Sequence, residues 1–325
     1  MKRLCLRFNA GFERYTIVIT PLALVIGFLL AKGLQPYTSS VSYLFAYITF
    51  AMALGCGFGH LGSVLRKPGI IVWTIMLAHL VAPAIAYGIG AALFGQHSPY
   101  VIGLVLFTII PLGVSSVMWT GLSGGNVPLM LAMVILDSAL SPLVVPAGIR
   151  LLFHQAVAVR LGPLMLDLLL IIVLPTFAGV LLHQLTRGRI QAKVQPYASS
   201  VSKLCFAAVV MLNAAAIQPY VQQMKGDMAL VVSVVVGLVA LCYALGYIGT
   251  YWLGSREMQA TVSYATGMRN ISLGIVLAIG YFPPLAAVPV ILSILVQQPL
   301  ATVFNLVLQK LNNTSSGETG ARHVG

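Results

Sequence analysis

Charged residues are scarce in this sequence. Only 7% of its 325 residues are charged and six are acidic, whereas a soluble domain carries about 25% charged residues. Hydrophobic residues make up 59% of the chain. So little charge excludes a soluble fold, and no stretch is long and polar enough to form a second, soluble domain. The composition therefore predicts an all-α integral membrane protein.

Cysteine is also sparse, and its placement excludes two kinds of site. Cys5, Cys56, Cys205 and Cys242 form no close pair, and we interpret them as small core residues rather than disulfide partners or metal ligands. The net charge of +12 comes from Lys and Arg in short loops between apolar runs. That distribution is typical of membrane topology and argues against a nucleic-acid partner.

Ten apolar runs are long enough to span the lipid bilayer as helices, which takes about 20 residues each. They cover residues 15–34, 38–58, 69–95, 100–122, 126–153, 161–185, 198–219, 226–254, 257–281 and 283–309. With the N-terminus cytoplasmic, thirteen of the eighteen Lys and Arg residues fall on the cytoplasmic side, four fall outside, and Arg269 lies within the membrane. We therefore expect a multi-pass protein of the bacterial inner membrane with both termini cytoplasmic, and a disordered polar tail over residues 312–325.

An internal repeat divides the chain into two halves. Residues 35–42 recur at 195–202 with one difference, Thr38 against Ala198. Each half, 1–157 and 158–311, holds five predicted spans, so the second half enters the membrane from the opposite side. Such an inverted repeat is typical of secondary transporters, whose site lies at the midplane between the halves.

One predicted span in each half is interrupted at a matching place. Proline and glycine break the fourth at 111–113, and glycine weakens the ninth at 266–267. Two half-helix N-termini would then meet at mid-membrane, where their N–H groups favour an anion. Alternatively, these glycines only allow close helix packing. The residues beside the breaks are Gly113, Ser115, Ser116, Thr266, Gly267 and Asn270.

Two charged residues lie deep in the predicted spans. Arg269 interrupts an apolar run at a cost of about 2.5–3.5 kcal/mol at the bilayer centre, and Asp137 lies at a similar depth in the fifth span. The two either form a structural ion pair, or Asp137 binds a coupling cation or a proton. His79 in the third span is either a satisfied core histidine or part of the site. Gln298 in the tenth span is expected to line a cavity.

These motifs resemble the bile acid:sodium symporter family, through residues 111–118, 125–142 and 267–270, and the likeness extends over nearly the whole chain. The resemblance implies ten helices in two inverted five-helix repeats, with broken helices four and nine crossing. It implies a panel of helices 1, 2, 6 and 7 beside a core of helices 3–5 and 8–10. It also implies two sodium ions behind the crossing and an organic anion in front, such as a bile acid, a steroid sulfate or a small hydroxy or keto acid.

The sequence departs from the family pattern at the sodium ligands. The family's helix-nine glutamate, which serves both sodium sites, falls on Ala265, and its glutamine falls on Arg269. Hydroxyl ligands of helix five fall on Met130 and Val134, and the helix-three glutamine falls at or next to His79. Because a guanidinium has five donors and no acceptor, we hypothesise that Arg269 replaces one sodium ion.

The predicted function is secondary transport of an organic anion by alternating access, cation-coupled with altered sodium sites. The alternative is a proton-coupled or sodium-independent carrier. The predicted substrate site comprises Gly113, Ser115, Gly267, Arg269, Asn270 and Gln298. The predicted cation site or its substitute comprises His79, Ser115, Ser116, Asp137, Thr266 and Arg269, with Ser115, Ser116 and Asp137 as candidate sodium ligands. No cofactor other than a coupling Na⁺ is expected, and the chain is compatible with a monomer.

An intramembrane enzyme or sensor is the alternative from another class. An enzyme would need an acid pair, a Ser–His arrangement or a metal cluster in register. Asp137 and Asp167 have no such setting, and we interpret Asp167 as an interfacial carboxylate. The sequence therefore predicts that the protein is not an enzyme.

Overall fold

The structure is a computed structural model that describes residues 2–55, 57, 68–153, 161–219 and 226–321. Cys56 and the predicted basic loop at 65–67 lie outside these ranges. Within them the fold is helical. The helices are α1 (Lys2–Leu29), α2 (Ala31–Leu34), α3 (Val41–Ala53), α4 (Pro68–Met76), α5 (Ala82–Phe94), α6 (Pro99–Ile109), α7 (Ser115–Leu122), α8 (Val127–Phe153), α9 (Leu161–Leu168), α10 (Leu174–Leu185), α11 (Arg189–Ile217), α12 (Met228–Gly249), α13 (Arg256–Gly267), α14 (Ile271–Tyr281) and α15 (Ala287–Ala321).

Among the described residues, six continuous helical segments are long and apolar enough to cross a membrane, which confirms a multi-pass membrane protein. A seventh arises if the segments Val18–Leu29 and Ala31–Ala53, bent by 87°, count as one span. α6 and α14 are shorter apolar helices. The ten predicted spans include these interrupted helices, and their number stays a prediction.

Helix boundaries differ from the apolar runs where polar sequence is also helical. α1 begins at Lys2 and α11 at Arg189, whereas hydropathy places these runs at 15 and 198. Hydropathy marks the residues suited to lipid, and a helix already formed extends cheaply beyond them. α15 likewise continues to Ala321, although the sequence predicts a disordered tail from 312.

Two wide π-helical turns join neighbouring helices into longer spans. Leu77–Val81 joins α4 to α5, and Leu169–Val173 joins α9 to α10. A proline follows each turn two residues into the next helix, at Pro83 and Pro175. Proline has no N–H to donate, so the preceding carbonyls lose their regular partner and the turn widens. The first of these turns contains Ala78 and His79.

Two groups of helices pack mainly within themselves. α1, α3, α10 and α11 pack against one another, while α6 packs against α5, α14 and α15, and α12 packs against α13 and α15. Every residue of α6 from Tyr100 to Ile109 is buried. A helix that is apolar all round belongs in an interior. α6 therefore forms the centre of the second group, and it ends beside the candidate site.

The loop before α8 ties the first half of the chain to α13. Asn126 caps α8 through its side-chain oxygen, which accepts from the backbone N–H of Leu129 at 2.8 Å. Its backbone N–H donates to Thr261 Oγ1 at 2.7 Å, and its side-chain Nδ2 donates to Glu257 Oε1 at 2.7 Å. These contacts join the residues after α7 to the first turns of α13.

Candidate functional site

Both predicted helix breaks are present, and they lie against each other. α6 ends at Ile109 and α7 begins at Ser115, while α13 ends at Gly267 and α14 begins at Ile271. The backbone N–H of Gly113 donates to Met268 O at 2.9 Å, and that of Asn270 donates to Pro111 O at 2.8 Å. The breaks thus cross as a short antiparallel pair, with Leu112 opposite Arg269.

Local sequence explains the extended backbone at the crossing. Ile110 is extended, with φ −60° and ψ 154°, as expected for a residue before proline. A Cβ on Gly113 would lie 2.7 Å from the carbonyl oxygen of Arg269, and one on Gly267 would lie 2.3 Å from the ring of Tyr243. Close packing therefore favours glycine at both positions.

Four helix ends meet at the crossing. α7 and α14 begin there, whereas α6 and α13 end there and present carbonyls. Of the first N–H groups of α7 and α14, those of Ser116, Val117 and Ile271 already donate to nearby carbonyls. The N-terminal ends carry partial positive charge, and the C-terminal ends carry partial negative charge. The crossing therefore places partial charges that favour an anion and partial charges that favour a cation within a few residues of each other.

Arg269 is buried at the carbonyl end of α6. Its side chain is 2% exposed. Nη2 donates to Ala78 O at 2.7 Å and Nη1 to Ile110 O at 3.4 Å, while Nε has no hydrogen-bond partner among the described residues. The guanidinium thus places a positive charge where α6 and the π-helical turn expose carbonyl oxygens.

Gln297 fixes the backbone of the same residue. Its Oε1 accepts from the backbone N–H of Arg269 at 2.8 Å, and its Nε2 donates to the carbonyl of Arg269 at 3.2 Å. Tyr243 donates its hydroxyl to the carbonyl of Gln297 at 3.1 Å. Gln297 therefore replaces the backbone partners that a continuous helix would supply to Arg269.

Asp137 pairs with His79 rather than with Arg269. Asp137 Oδ1 lies 2.6 Å from His79 Nε2, a short electrostatic contact without hydrogen-bond geometry. Asp137 Oδ2 accepts from the backbone N–H of Leu112 at 2.7 Å. Among the described residues no ion pair joins Asp137 to Arg269, so the structural ion pair that the sequence left open is not formed.

His79 links this carboxylate to the end of α6. Its Nδ1 lies 3.0 Å from the carbonyl oxygen of Ile109. Because a carbonyl only accepts, this contact assigns the hydrogen to Nδ1. His79, Asp137 and Arg269 thus belong to one buried polar cluster beside the crossing.

A second set of polar side chains beside the crossing is only partly buried. It contains Ser115, Asn270 and Gln298. Gln298 Nε2 donates to Ser115 Oγ at 3.4 Å, and Gln298 Oε1 accepts from the indole N–H of Trp119 at 2.9 Å. Trp119 is not among the predicted site residues, and its position four residues after Ser115 on α7 was the available signal.

Two predicted cation ligands direct their hydroxyls to backbone. Ser116 Oγ donates to Gly113 O at 2.6 Å. Thr266 Oγ1 lies 2.8 Å from Cys242 O and 3.0 Å from Val262 O, so its hydrogen serves α12 and α13. Neither hydroxyl hydrogen is free for another acceptor, although both oxygens retain lone pairs.

Crossed, interrupted helices around buried polar residues define a class of protein, the membrane transporters. The comparisons with known proteins identify the family. A profile of the sodium bile acid symporter family matches residues 42–221, and the chain belongs to that family. It is accordingly a transporter and not an enzyme.

Individual relatives agree with this assignment. The chain is 35% identical to the uncharacterized protein YbaS of Bacillus subtilis (strain 168) over 298 residues, 90% of this chain and 96% of the relative. It is 27% identical to the uncharacterized sodium-dependent transporter YocS of the same organism, over 82% of this chain and 81% of the relative. It is 26% identical to the probable chloroplastic sodium/metabolite cotransporter BASS2 of Oryza sativa subsp. japonica, over 76% of this chain and 58% of the relative.

Proposed function

We propose that this protein is a secondary transporter that moves a small organic anion by alternating access across a bacterial inner membrane. The substrate class is a bile-acid-like anion, a steroid sulfate or a small hydroxy or keto acid. The observation that carries this proposal is the crossing itself, where α7 and α14 begin beside the partly exposed Ser115, Asn270 and Gln298. Backbone N–H groups and neutral polar side chains together suit a carboxylate or sulfate.

The proposed architecture is ten spans in two inverted five-helix repeats, with both termini cytoplasmic. The repeat of residues 35–42 at 195–202 supports it, as do the two matched helix breaks. The separate packing of α1, α3, α10 and α11 supports a panel distinct from the core that holds the crossing.

We propose that transport by this chain is not coupled to two sodium ions. The guanidinium of Arg269 donates to Ala78 O and Ile110 O, and such carbonyls at a helix end also suit a small cation. A permanent positive charge there makes a second cation unfavourable. The hypothesis that Arg269 takes the place of one sodium ion rests on this geometry.

The oxygen atoms left for sodium are few. Ala265 offers no side-chain ligand, and both carboxylate oxygens of Asp137 already face His79 Nε2 and the N–H of Leu112. Sodium needs several oxygen ligands with free lone pairs. We therefore propose that at most one sodium ion binds, with Ser115, Ser116 and Asp137 as its candidate ligands.

A proton is the second candidate coupling ion, and a specific contact favours it. With the hydrogen of His79 on Nδ1, a neutral Nε2 would lie only 2.6 Å from the ionised Asp137 Oδ1 with no hydrogen between them. Such an arrangement is repulsive unless one proton lies on either group. The pair is therefore proposed to bind one proton in this conformation and release it in another.

Flux measurements in proteoliposomes test the transport function. The purified full chain would be reconstituted and tested with radiolabelled taurocholate, estrone sulfate and pyruvate, with protein-free liposomes as the control. The proposal expects saturable uptake of at least one probe. No uptake above the control for any of the three, with or without ion gradients, would overturn it.

Ion substitution in the same vesicles separates the two coupling schemes. Replacing sodium with choline abolishes uptake if sodium is the coupling ion. Uptake that persists in choline and accelerates with an inward proton gradient supports the His79–Asp137 proton site. Uptake that responds to neither gradient supports an uncoupled carrier, in which Arg269 alone supplies the positive charge.

A further inference from the structure

Three side chains form a hydrogen-bonded chain along the partly exposed face of the crossing. Trp119 follows Ser115 by four residues on α7, so the two share one side of that helix. The indole Nε1 of Trp119 donates to Gln298 Oε1 at 2.9 Å, and Gln298 Nε2 donates to Ser115 Oγ at 3.4 Å. All three residues are partly exposed.

The indole determines the direction of every bond in this chain. A tryptophan N–H only donates, so the amide of Gln298 must turn its oxygen to Trp119 and its NH₂ to Ser115. Ser115 Oγ then accepts from that NH₂. The hydroxyl hydrogen of Ser115 and the second N–H of Gln298 are left to donate, and neither has an acceptor among the described residues.

The indole ring of Trp119 is held in place by a second aromatic ring. Its ring stacks on Tyr264, with ring centres 6.3 Å apart and planes inclined by 18°. The hydroxyl of Tyr264 lies 2.7 Å from Ser123 Oγ, which donates to Asn305 Oδ1 at 2.7 Å. The buried inner part of the fold thus sets the position of Trp119.

We propose that Trp119 is a positioning residue for anion recognition. By fixing the amide of Gln298, it makes Gln298 and Ser115 a pair of donors for the carboxylate or sulfate of the substrate. Without the indole N–H the amide can rotate, and its oxygen would then repel that anion. This inference rests on the proposed transport of an organic anion. It adds the residue that determines whether hydrogen-bond donors or acceptors face that anion.

Kinetic measurements on Trp119→Phe test the inference, since phenylalanine keeps an aromatic ring against Tyr264 but has no N–H. Uptake of taurocholate, estrone sulfate and pyruvate would be measured in proteoliposomes, and KM and Vmax determined for each probe that wild type transports. We expect KM to rise about tenfold, the size of one hydrogen bond to a charged group, with Vmax nearly unchanged. Trp73→Phe is the matched control, because Trp73 donates its indole N–H to Gly249 O at 2.8 Å, away from this face. Its KM is expected to equal that of wild type.

A double-mutant cycle shows whether Trp119 acts through Gln298. Gln298→Ala alone is expected to raise KM, and adding Trp119→Phe to it is expected to change KM no further. The inference is overturned if Trp119→Phe leaves KM unchanged, if it lowers Vmax alone, or if it raises KM by the same factor in the Gln298→Ala background. Absence of uptake of all three probes by wild type would instead overturn the proposed function, and this inference with it.

Discussion

At Asp137 one carboxylate connects three parts of the chain that are distant in sequence. It lies on α8, accepts a backbone N–H from the first helix break, and contacts His79 on the π-helical turn. The side chain is 1% exposed. Removing one member of a buried ionic contact leaves the others without partners, which costs more than the contact contributes.

Substitutions at Asp137 are therefore expected to separate stability from coupling. Asp137→Ala leaves the Leu112 N–H and His79 Nε2 unpaired and should lower the free energy of unfolding by about 3–5 kcal/mol. In Asp137→Asn, the amide oxygen can accept from Leu112 and the amide NH₂ can donate to a neutral His79. Stability should then stay within about 1 kcal/mol of wild type. Unfolding midpoints in detergent would measure both.

The same pair of variants tests the proton site. Asp137→Asn has no carboxylate to share a proton, so any acceleration of uptake by an inward proton gradient should disappear while the protein stays folded. If Asp137→Asn retained that acceleration, the proton would have to bind elsewhere.

The sequence identified most of the residues at the crossing but not which of them are paired. Arg269, Asp137 and His79 stand out because polar side chains are rare in apolar runs. Their partners depend on how helices rotate against each other, so an Asp137–Arg269 pair was as reasonable as the contact with His79. Trp119 was missed because an aromatic residue in an apolar run normally indicates packing alone.

Among the helices, the two breaks were the most predictable feature. Proline and glycine at 111–113 and glycine at 267 have local effects on the backbone, so their consequence can be inferred from the sequence alone. The π-helical turn that presents Ala78 O to Arg269 was not anticipated. A proline two residues into a helix is usually tolerated, so Pro83 gave no clear signal.

Gly113 is expected to be the least replaceable residue of the crossing. In Gly113→Ala the new Cβ would lie 2.7 Å from the carbonyl oxygen of Arg269, which is backbone and cannot rotate away. The two breaks would have to separate, at a cost of about 1–3 kcal/mol, with loss of most uptake. Thermal unfolding and flux would be measured together.

Gly88→Ala is the matched control for this prediction. Gly88 lies inside α5, and a Cβ there would meet nothing within 4 Å. Replacing a mid-helix glycine by alanine stabilises a helix by about 0.5–1 kcal/mol. If Gly113→Ala behaved like Gly88→Ala, close contact between the two breaks would not be needed for function.

For the molecule as a whole, one hydrogen bond links two helices that belong to different proposed units. Tyr281, at the end of α14, donates its hydroxyl to Asp167 Oδ2 at 2.5 Å. Asp167 lies on α9, and it was interpreted from the sequence as an interfacial carboxylate. If α9 belongs to the panel and α14 to the core, this bond must break when the two units move apart.

Tyr281→Phe is therefore expected to change the rate of transport rather than the affinity for substrate. Losing the bond destabilises the conformation in which α9 and α14 are in contact by about 1–3 kcal/mol. Vmax should therefore change severalfold, while KM for the transported probe stays the same. Tyr43→Phe serves as the control, because Tyr43 is 79% exposed. A change in KM with constant Vmax would contradict a role in movement between the units.

If Arg269 replaces a coupling ion, its positive charge already occupies a cation position at the crossing. The number of sodium ions moved with each anion tests this replacement, from simultaneous fluxes of ²²Na⁺ and a transported labelled anion into the same proteoliposomes. We expect one sodium ion or none per anion. A ratio of two, with uptake that depends cooperatively on sodium concentration, would contradict it.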